Sequence, residues 1–437
     1  MQQFTSLIGI GLLLGIALLL SDNRRHISAR IIGVSMGLQF LIAALFLAFP
    51  PVVRLVETAA QGFIHILSFT QEGSRFVFGR PLLDASGPWG FVFAVHVLPA
   101  IVFFAALMSV LYHLGIMPRI IRLLAWLLRR SLGVTGSEAL AMAANIFLGQ
   151  TEAPLCVKPY IAGMTRSQLM TLMTGGFATV SGSVLAAYVG ILGRGDPATA
   201  AMFTHHILTA SVLSAPAAFL MAKIMVPDHP HHLHHPPPHN ESQEASLPPP
   251  ETQNVLDALA SGAADGLWLA LNVGTMLVAF VAFLALLNWP LAILSSWPPV
   301  AAWRNQLGLP VLSLQMVWGI VLTPLAAAMS IPWEECQVFG SLLGEKIFAT
   351  ELLAYQSLAS QLDADSAAIS QRTAQIASYA LCGFANIASI GVQIGAFRTL
   401  APNRNREIAQ LALRAMIGGA LASWMTACIA ALFLPFG

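Results

Sequence analysis

The sequence predicts an all-α, polytopic membrane protein assembled from two oppositely oriented repeats, and three observations carry that expectation. The first is composition. Of 437 residues, 57% are hydrophobic and only 9% are charged. A water-soluble chain carries about 25% charged residues, so water is not the main solvent of this surface. The second is the recurrence of apolar runs of spanning length, roughly 20 residues each. In hydrocarbon the backbone must satisfy itself within helices, and broken helices are tolerated only where they line a cavity. The third is internal repetition. Thr151-Glu152 is followed by GFATV over 176–180, and Thr350-Glu351 by GFANI over 383–387. A carboxylate in apolar surroundings is costly and usually functional. Two in matched contexts point to the inverted repeats that transporters use to build a site at the bilayer midplane.

Taken in order, the charges set an orientation, because Lys and Arg collect on the cytoplasmic side. Arg24, Arg25 and Arg30 follow the first apolar run, Leu7 to Leu20. They place its end inside and the N-terminus outside, the wrong polarity for a cleaved signal peptide. A second span, 31–49, returns outward to Pro50-Pro51. Residues 52–90 read as an amphipathic interfacial helix followed by a Gly/Pro loop. The third span, 91–116, lands on Arg119, Arg122, Arg129 and Arg130, which alternate with Ile, Leu and Trp as on a helix lying at the inner leaflet.

The segment 139–161 is apolar but interrupted by Asn145, Gly149, Gln150, Glu152 and Pro154. Glycine permits a reversal and proline cannot donate to a helix ladder, so it reads as a re-entrant hairpin turning near 150–154. Residues 169–192 form the fourth span, whose GGFATVSGS centre predicts an unwound middle. The fifth, 202–225, returns inside to Lys223. Pro227 to Thr252 reads as a cytoplasmic linker rich in Pro and carrying His229, His231, His232, His234, His235 and His239. A His-rich tract of this kind also has the composition of a metal-binding segment.

The second half mirrors the first. Residues 254–287 begin amphipathic, with Asp257 and Asp265, and become the sixth span, ending at the Trp297-Pro-Pro turn. Residues 312–331, broken by Pro324, read as an outer interfacial helix. Residues 334–358 are the second hairpin, entering from outside, with an acidic loop around Asp363 and Asp365 after it. The seventh span, 373–397, runs inward to Arg398, Arg404 and Arg406, and the eighth, 408–434, ends outside. The expected architecture is therefore eight transmembrane helices plus two oppositely oriented re-entrant hairpins, with interfacial helices. Its parts are 1–116 (first three spans and an interfacial helix), 117–226 (first repeat), 227–252 (linker), 253–310 (long sixth helix) and 311–437 (second repeat).

Several functions are disfavoured. A net charge of +1 identifies no nucleic-acid partner. Cys156, Cys336, Cys382 and Cys428 lie in apolar segments without metal-type spacing and read as small core residues. An intramembrane enzyme using Glu152 or Glu351 as acid or base would need a nucleophile or metal, and neither HExxH nor GxSxG lies in these segments. No organic cofactor is expected.

If both hairpin tips meet at mid-membrane depth, Gln150, Thr151, Glu152, Glu351, Asn386 and Ser389 converge, with Val184 and Phe384 beside them. Amide, hydroxyl and carboxylate groups with one aromatic face suit a polar, multi-hydroxyl, roughly neutral solute. No Arg or Lys stands at either tip, which argues against an anionic one. Carbonyls freed at the first helix break, with Asn145 and Thr179, suit a small hard cation such as Na+. Taken alone, Thr179, Ser181 and Ser183 also read as hydroxyls bonded back to their own helix, and Asn386 and Ser389 as helix-packing groups. Glu345-Lys346 reads as a charge pair, and His96, His113, His205 and His206 as interfacial.

GQTEAPL, MTGGFATVSGSVLAAY, NVLDALASGAADGL with ALNVG, and GFANIASIGVQIG closely resemble the concentrative nucleoside transporters, along essentially the whole chain. The resemblance implies a homotrimer in which a hairpin-bearing transport domain moves like an elevator against a trimerising scaffold. It implies nucleobase contacts from Gln150, Thr151, Glu152 and Val184, with Phe384 near the base. Ribose contacts would come from Glu351, Asn386 and Ser389. The family's sodium site falls on Asn145, the Leu148 carbonyl, Thr179 and the Val180 carbonyl. Many relatives carry Asn-Glu-Phe where this chain has Thr350-Glu351-Leu352, so the support around the ribose-binding carboxylate differs. Some members are proton-coupled; the oxygen set present here favours sodium. Gly149-Gln150-Thr151 with Val184 resembles members accepting both purine and pyrimidine nucleosides. The resemblance thus implies a Na+-driven nucleoside importer in an inner membrane, both termini outside, with a proton-coupled symporter as the alternative.

Overall fold

The structure is a computed structural model that describes residues 5–84, 89, 92–193, 196–228, 247, 252–306, 311–362 and 368–435. Among these residues the regular structure is entirely helical. The helices are α1 (Thr5–Leu19), α2 (Ala29–Leu47), α3 (Pro50–Phe78), α4 (Arg80–Leu83), α5 (Phe93–His96), α6 (Leu98–His113) and α7 (Ile116–Leu132). The first hairpin region supplies α8 (Gly136–Asn145), a 3-10 turn over Ala153–Val157 and α9 (Lys158–Ile161). Then come α10 (Arg166–Ala178), α11 (Gly182–Gly193), α12 (Pro197–Met225), α13 (Val255–Ser296), α14 (Pro298–Gln306) and α15 (Leu314–Ala328). The chain closes with α16 (Cys336–Phe348), α17 (Glu351–Gln361), α18 (Gln371–Leu381), α19 (Ile387–Leu400) and α20 (Asn405–Phe433).

Among the described residues seven helical stretches are long and apolar enough to cross a membrane, with α10–α11 and α5–α6 each counted as one stretch. Burial separates them. α10, α11, α12 and α20 are almost wholly buried and form the centre. By contrast, no residue in the most apolar stretch of α13 is buried. α13 packs on α6 through Ala258, Gly262, Gly266 and Ala270, one small residue every four, the spacing that lets two membrane helices approach closely. Its remaining face is aliphatic and aromatic and outward: Leu256, Trp268, Val278, Phe283, Leu286 and Trp289 are exposed.

Charged groups inside this centre are all engaged. Lys223 at the end of α12 pairs with Glu138 on α8 at 2.7 Å, both nearly buried. Glu138 is also half of a capping box with Thr135 that fixes the start of α8. Arg372 on α18 donates to the carbonyls of Ser330 and Ala431 at 2.8 and 2.9 Å. All four cysteines are free and buried, as expected of small core residues.

Several expectations need correction. Pro324 does not break its segment, because α15 runs through it; a proline in the final turns removes one bond, and Met329 N–H still closes onto Leu325 and Ala326 carbonyls. The sixth helix, by contrast, does run to the Trp297-Pro-Pro turn: α13 has 42 residues and Trp297 as its C-cap, about 63 Å at 1.5 Å per residue. The amphipathic helix expected within 52–90 is α3, 29 residues ending at Phe78, with Gly79 and Pro81 directly after it. The third span is interrupted at Val97, where Pro99 cannot donate to the preceding turn. His205 and His206 are not interfacial: both are buried within α12, and His206 Nδ1 meets the Tyr379 hydroxyl at 3.1 Å. The six linker histidines and Asp363 and Asp365 lie outside the described residues.

Candidate functional site

Two interrupted helices cross in the buried centre. α10 and α11 are parted at 179–181, and α18 and α19 at 382–386. Gly383 adopts φ +106°, a conformation costly for any residue with a Cβ. A Cβ there would lie 2.7 Å from the carbonyl oxygens of both Phe177 and Ala178. Only glycine therefore lets the second break rest on the last turn of α10. The first break also takes the hairpin tip: Gly182 N–H donates to the Phe147 carbonyl at 2.9 Å. Each break frees backbone groups that polar side chains or a solute must satisfy.

The tip of the second hairpin is Ala349-Thr350. Thr350 caps α17, its hydroxyl accepting from Leu353 N–H at 3.2 Å. This puts Glu351 at the first position of α17, only 4% exposed. Its Oε2 accepts from Asn386 Nδ2 at 2.6 Å and its Oε1 from the Tyr188 hydroxyl at 3.2 Å. Asn386 is itself the N-cap of α19, Oδ1 accepting from Ser389 N–H at 2.7 Å. Tyr188 stacks on Tyr355 at 4.3 Å, and Tyr355 donates to the Ser378 carbonyl at 2.7 Å. One carboxylate thus joins α11, α17 and α19. An ionised carboxylate has about four acceptor positions; Asn386 and Tyr188 take two, leaving about two for hydroxyls of a solute.

The first hairpin is organised differently. Glu152 Oε2 accepts from Gly149 N–H at 3.1 Å, closing the turn. Its side chain is exposed and within electrostatic reach of Asp265 on α13. The hydrogen bonds of Glu152 and Glu351 go to different partners, and none joins the two carboxylates. Gln150 is buried against Gly176, where a Cβ would stand 3.0 Å from the Gln150 Cβ, and its Oε1 has no partner. Thr151 and Phe384 are half-buried; Val184 is buried one turn before Tyr188, and Ser389 is buried beside its cap.

The oxygen set near the first break contains an orphan. Asn145 is the last residue of α8, is fully buried, and neither its amide oxygen nor its nitrogen has a partner. It packs against α10 at Gly175. Thr179 is buried and donates to the Gly175 carbonyl at 2.8 Å, leaving its oxygen lone pairs available. Val180 is buried and Leu148 half-buried beside them in sequence. A buried amide oxygen without a donor fits a small oxygen-seeking cation. Among the described residues no cluster of three His, Cys, Asp or Glu is placed to hold a metal.

Glu345 and Lys346 do not pair with one another. Lys346 is fully buried, and its Nζ donates to Ala380 O at 2.8 Å, Cys382 O at 3.1 Å and Ser423 Oγ at 2.7 Å. Adjacent helix positions point about 100° apart, so Glu345 faces Ser357 and Gln315 instead. Sequence reasoning missed Lys346, Tyr188 and Gln393. Gln393 spans the crossing by donating to the Met173 carbonyl at 3.0 Å. The available signal was spacing: Tyr188 follows Val184, and Gln393 follows Ser389, by one helical turn.

Residues 206–431 match the family described as Na+ dependent nucleoside transporter C-terminus, 94–195 the family Gate, described as nucleoside recognition, and 8–81 the family described as Na+ dependent nucleoside transporter N-terminus. The chain is 37% identical to the nucleoside permease NupC of Helicobacter pylori, over 98% of this chain and 97% of that one. It is 35% identical to human sodium/nucleoside cotransporter 1, with all of this chain matching 65% of the human protein's length. Among solved structures, CNTnw in an inward-facing substrate-bound state superposes with a TM-score of 0.86 at 37% identity, covering 99% of this chain and 98% of that one. An intermediate state of a CNTnw variant superposes at 0.89 and 36% identity over the whole of both chains. The crossed broken helices, the hairpin carboxylate and the sequence over its full length therefore agree: the chain belongs to the concentrative, Na+-dependent nucleoside transporter family.

Proposed function

We propose that this chain imports purine and pyrimidine nucleosides, driven by the Na+ gradient, across a bacterial-type inner membrane. The observation that carries the proposal is Glu351, a buried carboxylate gripped by Asn386 and Tyr188 at the crossing of two broken helices. Its remaining acceptor positions suit the vicinal hydroxyls of a ribose, with Asn386 and Ser389 alongside. Gln150, Thr151, Glu152 and Val184 contact the base, with Phe384 near its face; the unpartnered Gln150 Oε1 supports a role in accepting a base N–H.

Na+ enters as a co-substrate on Asn145, Thr179 and the carbonyls of Leu148 and Val180. The orphaned Asn145 amide supports this assignment, because a buried acceptor without a donor is otherwise a pure cost. Occupying that position ties the first hairpin to the first helix break, which is the platform for the nucleobase. Segments 117–226 and 311–437 move together as the transport domain, and 1–116 with 253–310 form the scaffold of a homotrimer of eight-span protomers with two re-entrant hairpins. The outward apolar surface of α13 supports burial of that helix in lipid or against neighbouring protomers. Both termini lie outside.

The test is uridine uptake into proteoliposomes under a Na+ jump at fixed pH. Chemically unchanged uridine should accumulate above its external concentration. Uptake that ignores Na+ and follows a pH gradient selects the proton-coupled alternative, and equilibration without accumulation rejects active transport.

A further inference from the structure

The buried ammonium of Lys346 has no part in the mechanism above, yet it holds a conspicuous position. It lies on α16, the first arm of the second hairpin, five residues before Glu351. In the first repeat Asn145 ends α8, the first arm of the first hairpin, seven residues before Glu152. The surroundings correspond as well. Asn145 packs at Gly175, near the end of the half-helix α10, with Thr179 and the first break just beyond. Lys346 Nζ binds the carbonyls of Ala380 and Cys382, at the end of the half-helix α18 and on the edge of the second break. Ser423 of α20 supplies a hydroxyl as third acceptor. Two carbonyls and a hydroxyl around one positive charge are the ligands a small hard cation would take. The difference is that here the cation is covalently attached.

We propose that Lys346 is a tethered cation occupying, in the second repeat, the place that the coupling ion takes in the first. The inference rests on the nucleoside-transport reading. An ammonium at the C-terminal end of α18 meets the negative end of that half-helix. It lies within electrostatic reach of Glu351, whose charge it offsets while Asn386 and Tyr188 set the orientation. The ribose half of the site is thereby permanently assembled, whereas the base half, around the unpartnered Asn145, is assembled only when an ion arrives. Lys346 is on this account a positioning residue: it touches the break that carries Asn386 and acts on substrate through Glu351.

The test uses the full-length protein, wild type and K346A, with uridine binding and thermal midpoint measured with and without ammonium chloride, choline chloride serving as the ionic control. K346A should fold and bind uridine at least about tenfold more weakly. Ammonium, small enough for the vacated position, should raise its midpoint and recover part of its affinity, and choline should do neither. Wild type should not respond to ammonium. K346A binding uridine within about twofold of wild type would overturn the proposal. So would equal stabilisation of both proteins by ammonium, or a variant that stays unfolded with and without it, since either result makes Lys346 a purely structural group. Wild-type protein that binds no uridine would reject the transport reading instead, and the ammonium-dependent midpoint would still decide the role of Lys346.

Discussion

Asn386 does two separable jobs, and separating them tests how the site is built. Its Oδ1 caps α19 through Ser389 N–H, and its Nδ2 donates 2.6 Å to Glu351. Asn386→Ala removes both. Losing an N-cap costs about 1 kcal/mol of stability, and losing a hydrogen bond to a charged group costs about 1.5–3 kcal/mol. Asn386→Ser keeps a capping oxygen but is too short to reach Glu351. Both variants should therefore weaken uridine by the second amount, roughly 10- to 150-fold in KM at about 1.4 kcal/mol per decade. Only the alanine variant should carry the additional stability loss of about 1 kcal/mol. Radiolabelled uridine uptake in proteoliposomes reads the first effect, and thermal unfolding of purified protein in detergent reads the second. A serine variant with wild-type KM would refute the assignment of Asn386 as the orienting donor. Two variants with identical midpoints would refute its capping role.

Other perturbations follow from the same geometry. Gly383→Ala should cost at least about 1–3 kcal/mol in backbone strain plus the clash with two carbonyls 2.7 Å away, seen as a sharply lower thermal midpoint and loss of uptake. Asn145→Ala should remove the buried amide that has no partner; the Na+-induced rise in midpoint expected of wild type should vanish while the fold persists in Na+-free buffer. Lys223→Met should destabilise by about 3–5 kcal/mol, because it leaves Glu138 buried without its partner, and Lys223→Met with Glu138→Gln should recover much of that loss on chemical denaturation.

The extent to which this molecule was legible in its sequence follows the scale of the physics involved. Spanning helices announce themselves by composition, since the bilayer charges for every polar residue. The GGFATVSGS stretch revealed the first helix break because glycine and small hydroxyls are poor at sustaining a helix, whereas the second break, at 382–386, lies inside a span that reads as continuous, 373–397. That Glu351 and Asn386 would come together was expected from matched hairpins, but the hydrogen bond between them was not. Register was not legible. Nothing in the alternation of residues says that Lys346 turns to α18 and Ser423 while Glu345 turns to Gln315 and Ser357. That depends on where α16 sits against α20, 77 residues away in the case of Ser423. Tyr188 was quoted only as the end of a motif, since its role depends on stacking with Tyr355 from the other repeat. Pro324 misled for a simple reason: local rules cost one lost hydrogen bond, and packing of α15 against its neighbours outweighs it. Convergence of Glu152 with Glu351 was inferred from symmetry; what symmetry did not reveal is that their partners differ, Glu152 accepting from its own hairpin backbone and Glu351 from Asn386 and Tyr188.

The most direct measurement is equilibrium binding of uridine to purified wild-type and Glu351→Gln protein at saturating Na+, with thermal midpoints taken in parallel. Glutamine keeps the shape of the side chain and removes its charge, and it places an N–H where the ribose hydroxyls should donate. The expected result is saturable binding to wild type and at least about 100-fold weaker binding to the variant, which still unfolds cooperatively. Glutamine at 351 binding uridine within about twofold of wild type would contradict the placement of the nucleoside at the crossed helix breaks.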